Sequence, residues 1–432
     1  MMDQITLSWP GKEMLLASVG DARYEWIDPQ DYSPRALDDL LVEQRTLDEP
    51  HGTVVCGDGL DLLAQCTSPL ADGSVRLVYV DPPFNKGVVF GDYEDVMDSG
   101  QWLSMLKDRL VATKRYLRPD ASVWVHLDDS ESHRARCVLD EIFGAEAYVA
   151  TIVWQRKMTR ESRSAISTNH DSILVYAPAG PVRWKKRRNL LIKGGEELKN
   201  RDHDPRGPWG DAPFTAPGYR ANQQYPIITP TGRRLLPPRG RSWYATEATY
   251  RDLLADDRIW FPKGGGGSPR LKLFPHQLRG LVPFSVWSAA EIGTNDDGKR
   301  QLQALFPKGA VFATPKPEEL MERIIHVATD PGELVLDFFA GSGTTAAVAH
   351  KMGRDWVAVE RNPRTVSNVL LPRITKVLDG SDQGGISQHY GWGGGGTVSV
   401  HRARPFKGRG SSVKVDLAAL AAPRVSAVTR SA

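Results

Sequence analysis

The sequence predicts an α/β fold with a parallel sheet, and three observations carry that reading. Leu334-Val-Leu336 is a short apolar strand. It ends at Asp337, turns through Phe339-Ala-Gly-Ser-Gly343 and passes into an apolar helical run from Thr344 to Met352. A second strand, Trp356-Val-Ala-Val359, follows and ends in Glu360. Upstream, between Thr53 and Tyr176, short apolar strands alternate with helical spacing, which is the pattern of parallel sheets. Strand, glycine turn, helix, strand and terminal acid together suit a nucleotide-like ligand. The glycines let the backbone approach the ligand, and an acid at the next strand end can take both ribose hydroxyls. An ordinary turn beside a surface Glu is the plainer alternative, but it explains a lone glycine turn better than the whole series.

The chain has 432 residues, enough for a large core and two or three domains. Charged residues make up 25% and the hydrophobic set 41%, with a net charge of only +3, so the overall balance points to no particular partner. Cys56, Cys66 and Cys137 lack metal-ligand spacing, and no metal site is expected. Scattered thiols suit a reducing compartment. No apolar run is long enough to span a bilayer, and Met-Met-Asp-Gln-Ile at the start lacks a signal pattern. The expectation is a soluble cytoplasmic protein.

Residues 1–50 show little periodicity and are read as an N-terminal extension without an assigned function. Thr53-Val-Val-Cys56 is a strand, and Gly57-Asp58-Gly opens a short helix. Asp58 reads equally as a turn former or as a ligand acid at a strand end. Arg76–Val80 is the next strand, stopped by Asp81-Pro82-Pro83-Phe84. The prolines fix the backbone there, so a carboxylate, a carbonyl and an aromatic ring meet at one strand end. Asp-Pro turns are common, so this motif alone does not decide.

Gln101–Leu117 has helical spacing, Ala121–Leu127 alternates like a strand, and Ser130–Phe143 reads as a helix capped by Ser130. Thr151–Trp154 and Ser172–Tyr176 are further strands. His126 and His133 read as structural or exposed, because no partner cluster surrounds them in the sequence. Further on, Thr314-Pro-Lys316-Pro317 is a turn before a helix over Glu318–Ala328, and Pro363–Leu378 is a helix. The last twenty or so residues look poorly ordered.

Between about 155 and 285 the periodicity fades. Basic groups cluster at Arg156, Lys157, Arg160 and Arg163 and again at Lys185, Lys186, Arg187 and Arg188. Trp209, Tyr219, Arg220, Tyr225, Arg233, Arg234, Arg239, Arg241, Trp243 and Tyr244 follow. Basic residues interleaved with aromatics suit a phosphate backbone and stacked bases. A solvated, loop-rich insertion is the alternative.

Val80-Asp-Pro-Pro-Phe-Asn-Lys-Gly87, followed much later by Asp337-Phe338-Phe339-Ala340-Gly341-Ser342-Gly343-Thr344-Thr345, resembles the amino-group DNA methyltransferases. The catalytic motif precedes the cofactor motif, as in the circularly permuted β group. Gly57-Asp58 and Thr314–Leu320 match the same family. Trp260-Phe-Pro-Lys-Gly264, Gly293-Thr-Asn295 and Trp392-Gly-Gly-Gly-Gly396 are similar to modification subunits of type III restriction systems. Many adenine enzymes of the group carry Tyr where this chain has Phe84, and both rings can stack.

The resemblance implies a Rossmann-like, circularly permuted sheet of seven mostly parallel strands with an inserted target-recognition domain. It implies S-adenosylmethionine as methyl donor, with the stretch from Asp337 to Thr345 around its amino-acid part. Glu360 is then on the ribose, Asp58 near the adenine of the cofactor, and Lys316 and Pro317 in a block bordering the methionine end. Asp81 through Phe84 are implied as catalytic, and Arg156–Arg163 and Lys185–Arg188 as DNA contacts. The domains read as 1–50, 51–155, 156–285 (with a strand at 169–177 returned to the core), 286–400 and 401–432. Implied partners are double-stranded DNA, a second copy of the chain and a restriction (helicase-nuclease) subunit.

The implied reaction is transfer to the N6 amino group of a flipped-out adenine. Asp before two prolines goes mostly with adenine in this group and Ser with cytosine N4, which stays the nearest alternative. An NAD-dependent oxidoreductase fits Gly341-Ser-Gly-Thr-Thr-Ala346 but leaves Asp-Pro-Pro-Phe unexplained. A non-catalytic DNA-binding protein leaves the intact Asp81 unexplained.

Overall fold

A computed structural model describes every residue except 1–4, 20–22, 44–48, 66–68, 86–87, 90–93, 96, 192–197, 278–279, 308–311 and 405–432. The expectation of a poorly ordered end falls outside the described residues, as does Cys66. Two compact units emerge: residues 1–189 with 284–432, and residues 190–283.

The first unit is organised around one sheet. Its strand order is Val286–Trp287, Tyr148–Gln155, His170–Tyr176, Leu117–Leu127, Val75–Val80, Leu334–Asp337, Asp355–Glu360, His51–Cys56, Thr397–Ala403 and Leu37–Leu41. The sheet therefore has ten strands among the described residues, where seven were expected. Two of the additions are edge strands, the two-residue Val286–Trp287 and Leu37–Leu41. The third is Thr397–Ala403, and none of the three carries a long apolar run. Pairing is parallel except where His170–Tyr176 meets both its neighbours and where Thr397–Ala403 meets Leu37–Leu41.

Val75–Val80 is buried along its whole length, as a central strand covered on both faces must be. The helix Ser99–Thr113, capped by Asp98 through the Gly100 amide (2.8 Å), packs Trp102, Leu103, Leu106 and Leu110 into the core beneath it. The helix Ser132–Phe143 starts two residues later than its expected cap: Glu131 is the N-cap, and the Ser130 amide is spent on Asp128 (2.9 Å). The helical stretch Pro363–Leu378 is continuous but contains one widened turn at Val366–Leu370. Pro372 explains it, because its nitrogen has no hydrogen to donate to the preceding turn.

The described part of residues 1–50 is not a separate appendage. Leu15–Ser18 and Tyr24–Ile27 form a hairpin whose Leu16 amide donates to buried Asp108 (2.7 Å), and Leu37–Leu41 joins the main sheet. The late glycine run also has a structural purpose. His350 lies beneath it: its Nδ1 accepts from Trp356 Nε1 (3.0 Å), leaving Nε2–H to donate to the Gly395 carbonyl (2.9 Å). A Cβ at Gly396, at φ +82°, would strike that imidazole. Trp356 in turn lies across Gly52 of the neighbouring strand, where any side chain would overlap the indole.

The second unit is built from short strands around an aromatic core. Gly210–Pro213, Arg270–Leu273 and Ile259–Trp260 form a small antiparallel sheet, and Thr215–Pro217 pairs with Arg241–Trp243. Phe214, Tyr225, Trp243 and Tyr250 make the centre, with Trp243 Nε1 donating to the Tyr225 carbonyl (2.6 Å). Trp209, Tyr225 and Trp243 are therefore core residues and cannot stack on bases as the sequence pattern suggested, whereas Tyr219 and Tyr244 are exposed. Asp202, Asp204 and Asp257 converge at metal-ligand spacing, but the ammonium of buried Lys272 lies among them, 3.1 Å from Asp204 and 2.8 Å from Asp257. Burial pulls the Lys272 ammonium down, and its hydrogen bonds to the three carboxylates more than offset that.

Candidate active site

Asp81 and Asp337 end adjacent parallel strands, with Tyr79 opposite Asp337. The two motifs that stand far apart in the chain thus share one end of the sheet, where ligands of such folds bind. Trp102, fully buried, donates its Nε1–H to the Pro83 carbonyl (2.6 Å) and fixes the turn that carries Asp81 and Phe84. Asn85 adopts φ +58°; its side-chain Nδ2 donates to Glu131 (3.0 Å) and its Oδ1 accepts from the Met97 backbone amide (2.9 Å).

The glycine turn is held from both sides. The Ala340 amide donates to the Val359 carbonyl (2.9 Å), and the Gly341 amide to Glu360 Oε2 (2.9 Å). Gly341 and Gly343 have φ of +49° and +74°, which side chains other than glycine rarely adopt. Gly343 then caps the helix Thr344–Lys351. Phe338, Ala340, Ser342, Thr344 and Thr345 are buried within this turn. Phe339 is partly buried against the main core.

Asp337 accepts from the Phe339 amide (2.9 Å) and from the Thr345 side chain. Burial pushes its carboxyl up to about 7, with the neighbouring Asp81 and Glu360 charges adding to the rise. Burial raises Glu360 as well, against the amides of Asn362 and Gly341.

Lys316 and Asp81, from different blocks of the sequence, meet directly: Lys316 Nζ is 2.8 Å from Oδ1 and 2.6 Å from Oδ2. The same ammonium lies 5.1 Å from the centre of the Phe84 ring. Pro317, next in the chain, caps the helix Glu318–Ala328.

His126 has the partner cluster that the sequence concealed. It is fully buried, bonded to the Tyr79 hydroxyl through Nδ1 (2.8 Å) and to Asp171 through Nε2 (3.2 Å), and it stacks on Phe84 with ring centres 6.0 Å apart. Tyr79 and Phe84 come from one segment and Asp171 from another, both distant in sequence from His126, so no local signal announces them.

Asp58 is placed otherwise than as an open acid. Its Oδ1 accepts from the Leu60 amide (2.8 Å) and pairs with fully buried Arg109. Burial alone would raise its carboxyl, and the Arg109 charge holds it below the usual range instead. Tyr24 of the N-terminal hairpin covers this corner, with the Arg361 guanidinium 4.5 Å from its ring centre.

Beneath the glycine turn lies a buried ion cluster that sequence reading missed. Glu318 accepts from Lys351 Nζ (3.0 and 2.9 Å), Arg373 Nη2 (2.9 Å) and the Ile386 amide (3.1 Å), and Lys351 also pairs with Asp382 (2.7 Å). Arg373 reaches on to Thr344 Oγ1 (2.8 Å), so the cluster supports the first turn of the helix after Gly343.

The two basic runs part company. Arg156 pairs with Asp171 (2.9 Å) at the end of its strand, on the same edge as Asp81. Lys157 is half-buried and Arg160 and Arg163 are exposed in the loop that follows. Lys185, Lys186, Arg187 and Arg188 close a short helix elsewhere. Arg187 bonds Asp120 (3.2 Å), which with Arg76 and Glu333 marks the opposite ends of the strands. A six-residue strand, about 20 Å, separates that run from Asp81.

The DNA methylase family model matches residues 75–370. The StyLTI modification subunit of a type III restriction-modification enzyme, from Salmonella typhimurium, is 31% identical over 78% of this chain and 59% of its own length. The EcoP15I modification subunit of Escherichia coli is 25% identical over 71% of this chain and 58% of its own. The type II methyltransferase M.EcaI of Enterobacter cloacae is 24% identical over 83% of this chain and 75% of its own. The chain thus spans under two thirds of the type III relatives it matches. The matched region holds both strand-end motifs and everything between them, and on that ground this chain belongs to the N6/N4 DNA methylase family.

Proposed function

We propose that the protein is a site-specific DNA methyltransferase that transfers a methyl group from S-adenosylmethionine to N6 of adenine in double-stranded DNA. The observation that carries this reading is the meeting of Asp81 with the Asp337 glycine turn on neighbouring strand ends. Family membership leaves no room for the oxidoreductase alternative. The order of the motifs, with Asp81 before the glycine turn, supports the permuted topology.

The residues at the glycine turn fit the cofactor. Asp337 and Glu360 are acids at adjacent strand ends, each anchored by backbone amides yet with carboxylate lone pairs to spare. A Cβ at Gly341 would lie 2.9 Å from the Phe312 ring, so glycine keeps the turn clear of that ring. When bound, the cofactor supplies an electrophilic methyl group.

The chain's own part is to make an amino nitrogen nucleophilic. The lone pair of an exocyclic amine is delocalised into the ring. Asp81 accepts one amino hydrogen and the Pro82 carbonyl the other, which draws the nitrogen toward a tetrahedral shape and frees the lone pair. Once the nitrogen carries the new carbon it has a surplus proton, and the Asp81 carboxylate takes it and passes it to solvent. Positioning and electrostatic support supply most of the rate.

The base must leave the duplex to reach Asp81, at a cost of a few kcal/mol. Phe84 is the ring on which it stacks. Exposed Arg160 and Arg163 beside the site, and exposed Tyr219, Arg220, Arg233, Arg234 and Arg239 of residues 190–283, supply the DNA contacts that offset this cost. Adenine is favoured over cytosine by Asp81 before the prolines, where cytosine-N4 enzymes of the group mostly carry Ser. By likeness to the modification subunits, we extend the proposal to a role beside a restriction subunit, with the protein paired as a dimer.

The test is mass spectrometry of nucleosides from unmethylated DNA incubated with protein and cofactor, followed by sequencing with modified-base detection. N6-methyladenine at one recurring sequence is expected. Methylcytosine alone would overturn the base, and unmodified DNA would overturn the reading.

A further inference from the structure

We infer that Lys316 belongs to the acceptor side of the site, as a positioning residue that orients Asp81 and balances its charge for the target amino group. This rests on the methyltransferase reading above but assigns a residue that the sequence placed beside the cofactor.

Three observations converge. First, the ammonium contacts both oxygens of Asp81, at 2.8 and 2.6 Å, and lies 5.1 Å from the Phe84 ring centre. One group therefore touches both the proposed hydrogen acceptor and the proposed stacking ring. Second, the contact is sheltered, with the Lys316 side chain 8% exposed and Asp81 20%. A carboxylate so placed loses more by losing its cation than a surface pair would. Third, the backbone of Lys316 is clamped. Gly298 of the helix Asn295–Leu305 packs so closely that a Cβ there would lie 2.8 Å from the Lys316 carbonyl carbon. The Glu318 amide donates to Gln301 (3.0 Å). Thr344 Oγ1, one residue past the glycine turn, reaches the Lys316 carbonyl (3.4 Å). A strap held this way delivers its side chain to one place.

The chemistry of the contact follows from donor counts. An ammonium offers three N–H groups and an exocyclic amine two, and both seek the same acceptor. The Asp81 carboxylate has about four lone pairs on its two oxygens, so it can receive an amino hydrogen beside the ammonium. The Lys316 contacts keep the carboxylate oriented and its charge balanced while the amine is held. Lys316 thus acts through Asp81 and Phe84 and need not touch the reacting atoms.

The experiment uses the full chain with Lys316→Met and, as a second polar variant, Lys316→Gln. Each is compared with wild type and Asp81→Ala on DNA carrying the mapped site. Expected is a fall in kcat of about 100-fold, with KM for DNA and calorimetric affinity for S-adenosylmethionine within about threefold of wild type. A 2-aminopurine at the target position, read without cofactor, should fluoresce on binding at about the wild-type level, because it lacks the 6-amino group and reports only that the base still leaves the stack. A kcat within about threefold of wild type in both variants overturns the inference while leaving the reading intact, provided Asp81→Ala is inactive. A loss of cofactor affinity of about tenfold or more in both returns Lys316 to the cofactor side and also overturns it. An active Asp81→Ala enzyme overturns the methyltransferase mechanism itself.

Discussion

Asp337 lies directly opposite Tyr79 on the neighbouring strand, two residues before Asp81, so two carboxylates end adjacent strands in a sheltered corner. Burial raises Asp337 to about 7. The sign follows from that direction. Below about 7 the carboxyl is neutral, and above it the carboxylate is ready to pair with the cationic amino group of the cofactor's amino-acid part. Affinity for S-adenosylmethionine should therefore weaken by up to about tenfold per unit as pH falls through about 7. Calorimetry across pH 5.5–8.5 checks this on the order of half-unit steps, and Asp337→Asn should abolish the slope.

Donor and acceptor functions should separate cleanly. Asp81→Ala should keep its cofactor affinity and lose methyl transfer by about 10³-fold or more. Gly341→Val should do the reverse at the level of binding, because a β-branched residue at φ +49° is strained and meets the Phe312 ring. Calorimetry and transfer assays on both folded variants measure the pair of effects.

Glu318 should matter more for stability than its place at a helix start suggests. Glu318→Gln leaves Lys351 and Arg373 buried with less compensation. Burial alone would raise the Glu318 carboxyl, but Arg373 and Lys351 hold it below the usual carboxylate range. Its contribution is thus present above the ordinary carboxylate range and lost on acidification. A loss of about 3–5 kcal/mol is expected at neutral pH, shrinking as pH falls, by denaturant unfolding at several pH values.

The two basic runs should behave differently toward DNA. Arg160→Glu with Arg163→Glu should weaken binding and flatten its salt dependence by about one to two units of slope. Lys185→Glu with Lys186→Glu should change neither, since that run lies at the far ends of the strands. Fluorescence anisotropy over a salt series distinguishes them.

What was legible in the sequence is what covalent neighbours decide. Asp81 follows its strand because Pro82 and Pro83 stop it, and the turn after Asp337 needs glycine at positive φ; both signals are local. His126 reads as structural from the sequence and is buried, but its partners come from across the sheet, and the contact of Lys316 with Asp81 likewise has no local signal. Tyr79, Phe84 and Asp171 meet His126 only once three segments pair. Trp209, Tyr225 and Trp243 misled for another reason. An aromatic residue among arginines has the same composition whether it faces a base or fills a small core, and only burial separates the two. Strands such as Leu37–Leu41, which carries two adjacent acids at a sheet edge, show no apolar alternation to read.

The placement of Thr397–Ala403 has a consequence for how the chain is made. This last described strand lies between His51–Cys56 and Leu37–Leu41, two of the earliest, and among the described residues Leu37–Leu41 has no other neighbour in the sheet. While the protein is emerging from the ribosome, His51–Cys56 waits about 300 residues for Asp355–Glu360, and Leu37–Leu41 waits longer still. One side of the sheet is therefore closed late, by joining strands that lie far apart in the chain. Until then its early strands present open hydrogen-bonding edges, and nascent chains stopped short of Thr397 should aggregate or be degraded in preference to folding.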